Sequence, residues 1–191
     1  MSLEGRDDEA TDIQADVIAR MSPRVPRGTV PTVEEWGRGF DRYGSRQNAA
    51  EIPRTLVLEA QRVFDELCRS QTNPRLLHGD LHHYNILNDR NRGWLAIDPK
   101  GVVGEIEYEI GAALRNPVER PDLFVDPGIV AKRLDRFASK LSIDADRARR
   151  WSFAQAVLAA IWSVEDGVAV NPQHPFIRLA QAIRGQLPPI K

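Results

Sequence analysis

The sequence predicts an α+β fold that is mainly helical, and three observations support this. Apolar residues recur at helical spacing over several segments before residue 70 and again after residue 106. Between these segments, the short apolar runs RLLHG, NIL and WLAID are separated by turn-forming residues, which is typical of strands. The chain has 191 residues, 42% of them hydrophobic, which is enough for one well-packed core. We therefore expect a helical body that carries a two- or three-stranded insert.

The region before the strands is predicted to hold three helices. Residues 7–21 combine apolar residues at helical spacing with an acidic start and a proline just past the end. After a predicted loop at residues 24–31, Thr32 and Glu35 make the T-x-x-E capping box of a second helix. The third helix follows Pro53 and carries a continuous apolar stripe.

The region after the first strands is predicted to return to helices. The segment NDRNRG, between NIL and WLAID, has the composition of a hairpin loop. Four helices are then expected: one near residues 106–114, one from Pro127 through Leu141, a long one at 144–165, and one after Pro175.

The composition limits the partners and the compartment. The formal net charge is −1, from 26 basic and 27 acidic residues, so no basic field attracts nucleic acid or an anionic membrane surface. A single cysteine, Cys68, excludes an intramolecular disulfide, and its place on a helical apolar stripe favours a structural thiol over a nucleophile. We expect a cytoplasmic protein, because no stretch resembles a signal peptide or a membrane span.

Three of the four histidines lie in the segment LLHGDLHHYN, which raises the question of a metal site. Two ligands four residues apart, such as His78 and His82, share a face only in a helix, whereas Gly79 and the flanking apolar runs predict a strand and a loop. The fourth histidine, His174, has no neighbouring carboxylate or cysteine pattern. A histidine metalloenzyme is therefore a third alternative, which stoichiometric zinc or iron in the purified protein would support.

A different subset of the same region explains more of the pattern. Asp80 is followed by Asn85 after five residues and by Asp98 after eighteen, at the end of the second predicted hairpin strand. Phosphoryl transfer needs a carboxylate that accepts the proton of the attacking hydroxyl, and oxygen ligands that hold Mg²⁺ on the phosphates. The spacing supplies both, so these residues are candidates for a base and for two magnesium ligands.

This compound pattern resembles a known family. HGDLHHYNIL followed by LAIDPKG is similar to the catalytic loop and metal-binding segment shared by protein kinases and small-molecule phosphotransferases. Glycine in place of the protein kinase arginine, and DPKG in place of D-F-G, resemble the aminoglycoside phosphotransferase superfamily. Within it, AIDPKGVVGEIEYEIGAALRNP is similar to the aminoglycoside and hydroxyurea antibiotic resistance kinases of the streptomycin 6-kinase type. The resemblance is strong over residues 76–117 and covers the helical remainder in outline.

The resemblance implies a role for each residue of the motif. Asp80 corresponds to the catalytic base, Asn85 and Asp98 to magnesium ligands, and His78 to the histidine that braces the catalytic loop. Glu109 lies where the family carries an acidic residue that accepts hydrogen bonds from the loop backbone, so we expect it to be scaffold. ATP and Mg²⁺ are the implied cofactors of the complete enzyme.

Four further residues are weaker candidates, and each has a plain alternative. His82 is expected to contact the transferred phosphate or the acceptor, or to be a surface histidine. Lys100 is expected to neutralise phosphate charge or to be a solvated loop lysine. Glu165 and Asp166, at the end of the long predicted helix, are candidates for binding a cationic, hydroxyl-rich acceptor, although charged helix ends are usually just solvated. Trp162 is expected in the core.

The resemblance also fixes the expected domain organisation. Residues 1–5 are a possible cloning remnant, and 6–191 are expected to form a protein-kinase-like C-terminal lobe whose small β-hairpin insert carries the catalytic loop. No strand lysine precedes the motif, so the N-terminal nucleotide-binding lobe is expected to be absent and the isolated chain inactive. The expected partners are a small-molecule acceptor, the missing lobe, and a second copy of the chain on the exposed inter-lobe face. The alternative function is a non-catalytic module that binds the acceptor.

Overall fold

Helices make up most of the chain in the computed structural model, which describes residues 2–21, 30–46 and 50–187. Most of the loop predicted at 24–31 lies outside the described residues. In chain order the helices are α1 (Asp7–Arg20), α2 (Val33–Gly44), α3 (Arg54–Arg69), α4 (Ile106–Glu109), α5 (Gly111–Leu114), α6 (Asp122–Val125), α7 (Pro127–Leu141), α8 (Ala145–Glu165) and α9 (Pro175–Arg184). The prediction of a mainly helical fold is confirmed.

The helix boundaries follow the local signals in the sequence. The Thr32 hydroxyl accepts the Glu35 N–H at 3.2 Å, and the Glu35 carboxylate accepts the Thr32 N–H at 2.8 Å, so the predicted capping box forms. Asp126 and Asp144 cap α7 and α8 by accepting two N–H groups each in the first turn. These side chains satisfy amide groups that a helix start leaves without partners.

The single helix predicted near residues 106–114 is wrong in detail, because the segment forms two short helices, α4 and α5. Tyr108 lies where the helix would continue, and its carbonyl accepts the side-chain amide of Gln155, which projects from α8. Gly111 leaves the space that this amide occupies, since an added Cβ would overlap it. A long-range contact therefore interrupts the local helical pattern.

The strands form two separate two-stranded sheets, so the prediction of one sheet is wrong. Strand β1 (Arg75–Leu77) pairs antiparallel with β4 (Val102–Gly104), and β2 (Ile86–Asp89) pairs antiparallel with β3 (Gly93–Ala96). Strand β4 is three residues long, and its sequence, Val-Val-Gly, does not alternate apolar and polar residues, which is why periodicity did not reveal it. The segment between β1 and β2 therefore connects two sheets.

Helix α8 occupies the centre of the core. It is buried on nearly all sides and packs against α3 and α9, and Trp151 from its middle lies edge-on to Phe64 and Tyr108 at centroid distances of 5.1 and 5.2 Å. Cys68 packs against this core, and burial raises the pKa of its thiol to about 12, as expected for a structural thiol. No helix among the described residues is long and apolar enough to cross a membrane.

Candidate active site

The segment that follows β1 is held in place by a buried carboxylate. Glu109 of α4 accepts the backbone N–H of His78 at 2.7 Å and that of Gly79 at 3.2 Å. Burial raises the pKa of Glu109 to about 8, against the opposing effect of these backbone donors. The scaffold contact that the resemblance implied is present in the structure.

The imidazole of His78 fixes the same loop from its other side. The ring is 4% exposed, and its Nε2 donates to the Ile97 carbonyl at 2.8 Å, while Nδ1 accepts the Asp80 N–H at 3.3 Å. The acceptor role of Nδ1 places the proton on Nε2. His78 therefore ties the loop to the chain just beyond β3.

Asp80 opens onto a cleft of about 560 Å³. Its two carboxylate oxygens have different neighbours: Oδ1 lies 3.4 Å from Nη2 of Arg115, and Oδ2 lies 3.8 Å from Nε2 of His82. Burial lowers the pKa of His82, and the charge of Asp80 opposes this effect. A half-buried carboxylate with one oxygen bound by a guanidinium leaves its other oxygen available to a hydroxyl group.

Asn85 directly precedes β2 and Asp98 follows the end of β3 by two residues, so the pairing of these strands brings their backbones to the same end of the hairpin. Asn85 accepts the Ile97 N–H on its backbone carbonyl at 2.9 Å, and Asp98 is the next residue. The Asn85 side-chain N–H donates to the Asp80 carbonyl at 2.9 Å, which leaves its amide oxygen free to bind a ligand. The Asp98 side chain is 68% exposed and lies 3.4 Å from the Lys100 ammonium.

These two oxygen donors fit a magnesium ion that also binds phosphates. Among the described residues, no group of three or more His, Cys, Asp or Glu side chains could hold a metal ion. Mg²⁺ bound with a nucleotide needs only one or two protein ligands, because phosphates and water complete its octahedron. The donor set of Asn85 and Asp98 therefore suits Mg²⁺ with a nucleotide better than a closed metal site.

The three clustered histidines do not point at a common centre. His78 faces the Ile97 carbonyl, and His82 faces Asp80. The ring of His83 is turned away beneath α1, where burial lowers its pKa to about 3 and both ring nitrogens lack a hydrogen-bond partner within the described chain. The crowding in the sequence reflects three separate environments.

The far wall of the cleft carries the acidic residues predicted to bind an acceptor. Glu165 and Asp166, at the end of α8, line the same cleft as Asp80, and so does Lys100. Glu165 accepts two hydrogen bonds from the Arg42 guanidinium, at 2.8 and 3.1 Å, so its charge is partly neutralised. The acidic wall and the candidate base therefore face one space.

Sequence reasoning missed several residues of this cleft, all of which are far from Asp80 in the chain. Trp162 was expected in the core, but it is half-buried and lines the cleft, with its ring edge-on to Trp36 at 6.0 Å. Arg42 and Arg115 also line the cleft. Arg115 lies within the segment AIDPKGVVGEIEYEIGAALRNP, but nothing in that pattern indicates that its side chain reaches Asp80.

Comparisons with known proteins identify the family of the chain. A sequence profile described as aminoglycoside/hydroxyurea antibiotic resistance kinase matches residues 1–167. The chain is 33% identical over 169 residues to streptomycin 3''-kinase from Klebsiella pneumoniae, which covers 85% of the chain and 60% of that protein. It is 35% identical over 182 residues to streptomycin 6-kinase from Streptomyces griseus, and this match covers 93% of the chain and 58% of that protein. The chain is 30% identical over 183 residues to hydroxyurea phosphotransferase from Kitasatospora aureofaciens, and this match covers 93% of the chain and 50% of that protein.

A solved structure supports the fold. The crystal structure of choline kinase LicA from Streptococcus pneumoniae matches with a TM-score of 0.57 and 15% identity, over 97% of this chain and 64% of that one. The chain spans between half and three fifths of the length of the curated relatives cited above. On the profile match and these relatives, the chain belongs to the aminoglycoside/hydroxyurea antibiotic resistance kinase family.

Proposed function

We propose that this chain carries the catalytic loop, the metal ligands and the acceptor cleft of an ATP-dependent phosphotransferase. The reaction moves the γ-phosphate of ATP to a hydroxyl group of an aminoglycoside-like antibiotic or of hydroxyurea. The observation that carries the proposal is the position of Asp80, whose loop is fixed by Glu109 and whose carboxylate opens onto a cleft with an acidic far wall. This arrangement supports the proposal, because a base for phosphoryl transfer has to lie next to the space where the acceptor would bind.

The proposed chemistry assigns one task to each group. The free Oδ2 of Asp80 orients the acceptor hydroxyl and accepts its proton as the bond between the acceptor oxygen and the γ-phosphorus forms, while the bond from the γ-phosphorus to the bridging oxygen breaks and ADP leaves. The Asn85 amide oxygen and the Asp98 carboxylate would hold Mg²⁺, which neutralises the charge of the phosphate oxygens when it is bound with ATP. His82 and Lys100 lie beside Asp80 and Asp98, where each would contact the transferred phosphate or the acceptor. We place this reaction in the cytoplasm, because ATP is an intracellular cosubstrate.

The charges of the cleft favour a cationic acceptor. Among the described residues, the lining of the cleft has one more carboxylate than cations: its carboxylates are Glu35, Asp80, Glu165 and Asp166, and its cations are Arg42, Lys100 and Arg115. Arg42 pairs with Glu165 and Arg115 with Asp80. Clustered carboxylates attract and orient a polycationic molecule but give little advantage to a neutral one. The faces of Trp36 and Trp162 offer an additional surface for a cation. Among the acceptors named for the relatives, the cleft therefore favours streptomycin over hydroxyurea.

The proposed activity belongs to a longer assembly than the chain described above. The relatives are longer than this chain, and phosphoryl transfer depends on groups that hold the nucleotide from both sides. We therefore expect the 191-residue chain by itself to show no measurable turnover and to require a nucleotide-binding lobe as its partner. Tyr84, Leu87 and Ile97 are exposed near the candidate site and would lie against that lobe or against a second copy of the chain.

The test is a phosphotransfer assay on the polypeptide as the cell makes it, with Mg²⁺, radiolabelled ATP, streptomycin and hydroxyurea. We expect labelled streptomycin from the wild type and none from Asp80→Asn, which keeps the shape of the side chain but removes the base. The alternative, a non-catalytic module, predicts that both proteins bind streptomycin equally well and that neither forms product. Equal product from both proteins would contradict the role of Asp80.

A further inference from the structure

We infer that Arg115 is a positioning residue for the reaction, one that holds the Asp80 carboxylate in the orientation in which its Oδ2 meets the acceptor hydroxyl. The inference rests on the proposed function and adds to it a residue that neither the sequence motif nor the comparisons assign. It is carried by a chain of contacts that begins in the helical core and ends at the candidate base.

The first step is the burial of the guanidinium group. The Arg115 side chain is 11% exposed, and burial lowers its pKa, while the charge of Asp80 raises it. A guanidinium group stays charged even when it is buried, and it therefore needs an anion beside it. Asp80 supplies that anion across 3.4 Å. The attraction acts on one carboxylate oxygen, Oδ1, and so selects one orientation of the Asp80 side chain.

The second step is the rigidity of Arg115 itself. Its Nη1 donates to the side-chain oxygen of Gln155 at 3.3 Å, and the amide of Gln155 donates in turn to the Tyr108 carbonyl. Gln155 is 3% exposed and projects from the centre of α8 through the space that Gly111 leaves open. A guanidinium group that is held at Nη1 by a buried amide can orient a carboxylate that lies beside Nη2.

The third step is the environment of Asp80 on its other sides. His82 lies 3.8 Å from Oδ2, Glu109 holds the loop backbone, and Lys100 lines the same cleft. Glu109 contacts backbone groups of the loop, and Lys100 lies next to Asp98, so neither takes the place of Arg115 at Oδ1. Without Arg115, the Asp80 side chain would be free to turn towards His82, and Oδ2 would then be less available to the acceptor.

The experiment compares steady-state kinetics of the polypeptide as the cell makes it, in the wild type and in Arg115→Met, Arg115→Lys, Gln155→Leu and Asp80→Asn. Arg178→Met removes an exposed arginine on α9 and serves as the matched control. We expect Arg115→Met to lower kcat by about tenfold to hundredfold while the KM for ATP changes less than about twofold, because a misplaced group affects the chemical step. Arg115→Lys should recover part of the loss. Gln155→Leu should lower kcat less than Arg115→Met does.

One further readout, on the additional variant Arg115→Ala, separates positioning from a structural role. Adding guanidinium ion to Arg115→Ala at concentrations that leave its melting temperature unchanged should raise kcat, which restored folding would not explain. If Arg115→Met does not fold, Gln155→Leu, which retains Arg115, still tests the chain of contacts. The inference is overturned if the folded Arg115→Met, or Gln155→Leu in its place, retains the kcat of the wild type while Asp80→Asn is inactive. A wild type that is assayed together with its nucleotide-binding lobe and still forms no product overturns the proposed function, and the inference with it.

Discussion

The fully buried carboxylate of Glu109 accepts the backbone N–H of His78 at 2.7 Å, although these residues are thirty-one positions apart in the chain. Glu109 belongs to α4 and His78 follows β1, so the contact joins the helical body to the loop that carries Asp80. A buried acceptor that binds two successive amide groups leaves the loop backbone little freedom. The position of the candidate base thus depends on a residue that does not line the cleft.

This contact predicts a pH-dependent stability. The pKa of Glu109 in the folded protein is about 8, above the ordinary value of 4.5. Between these two pH values Glu109 is therefore protonated in the folded protein and ionised in the unfolded chain. The contribution of Glu109 to the free energy of unfolding is therefore greatest below pH 4.5 and is lost as the pH rises to about 8. Urea unfolding of the wild type and of Glu109→Gln at several pH values in this window measures it. The free energy of unfolding should depend less steeply on pH in Glu109→Gln than in the wild type. The control Glu107→Gln, on the same helix, should show the same dependence on pH as the wild type.

A second prediction concerns Gly79, in the loop that carries Asp80. Gly79 has φ +80°, and an added Cβ would lie 2.7 Å from the Trp36 ring and 3.0 Å from Val102. Gly93, with φ +74°, has open space in the same position. Gly93→Ala should lower the free energy of unfolding by about 1 kcal/mol through the left-handed backbone alone. Gly79→Ala should lower it by about 2–4 kcal/mol, because overlap adds to this cost. Equal losses in urea unfolding would show that the close approach of Trp36 has no energetic effect.

The attachment of α1 to α7 gives a third prediction. Arg133, buried to 97% of its side chain, pairs with Asp7 and donates to the Asn116 carbonyl at 2.9 Å. Lys140 pairs with Asp16 at 3.4 Å between exposed side chains. Arg133→Met should cost about 3 kcal/mol of unfolding free energy, because it leaves a partly buried carboxylate unpaired. Lys140→Met should cost less than about 1 kcal/mol, since exposed pairs contribute little. Chemical denaturation of both variants measures their free energies of unfolding. Comparable losses in the two variants would contradict the prediction that the buried pair contributes more than the exposed pair.

The fourth prediction tests the acidic wall of the cleft. Glu165→Gln and Asp166→Asn should each weaken the binding of streptomycin by about threefold to tenfold at low salt, with a smaller loss at high salt. Glu59→Gln is the matched control, because Glu59 also pairs with an arginine, Arg184, at 2.8 Å, and is absent from the lining of the cleft. Isothermal titration calorimetry on the wild type and the three variants gives the affinities. Unchanged binding in Glu165→Gln and Asp166→Asn would remove both residues from the acceptor site.

The local sequence determined the longer helices and the chemical identity of the motif, whereas the short helices α4, α5 and α6 were not predicted as they occur. Helix signals such as the Thr32–Glu35 capping box act within one turn, so they predict the start of α2 without knowledge of its neighbours. The spacing of Asp80, Asn85 and Asp98 is likewise a property of one continuous segment. The family resemblance of that segment was visible in the sequence, and the profile match confirms it.

Tertiary structure decided what surrounds that motif. The pairing of β1 with β4, the interruption between α4 and α5, and the approach of Arg115 to Asp80 all depend on residues distant in the chain. Helical and strand periodicities report which face of an element is buried, but they do not report which distant side chain it meets. The sequence by itself therefore determined which groups are available for the proposed phosphoryl transfer. Their orientation was decided by packing around α8, because burial of Gln155 and Glu109 fixes the hydrogen-bond partners of the loop and of Arg115.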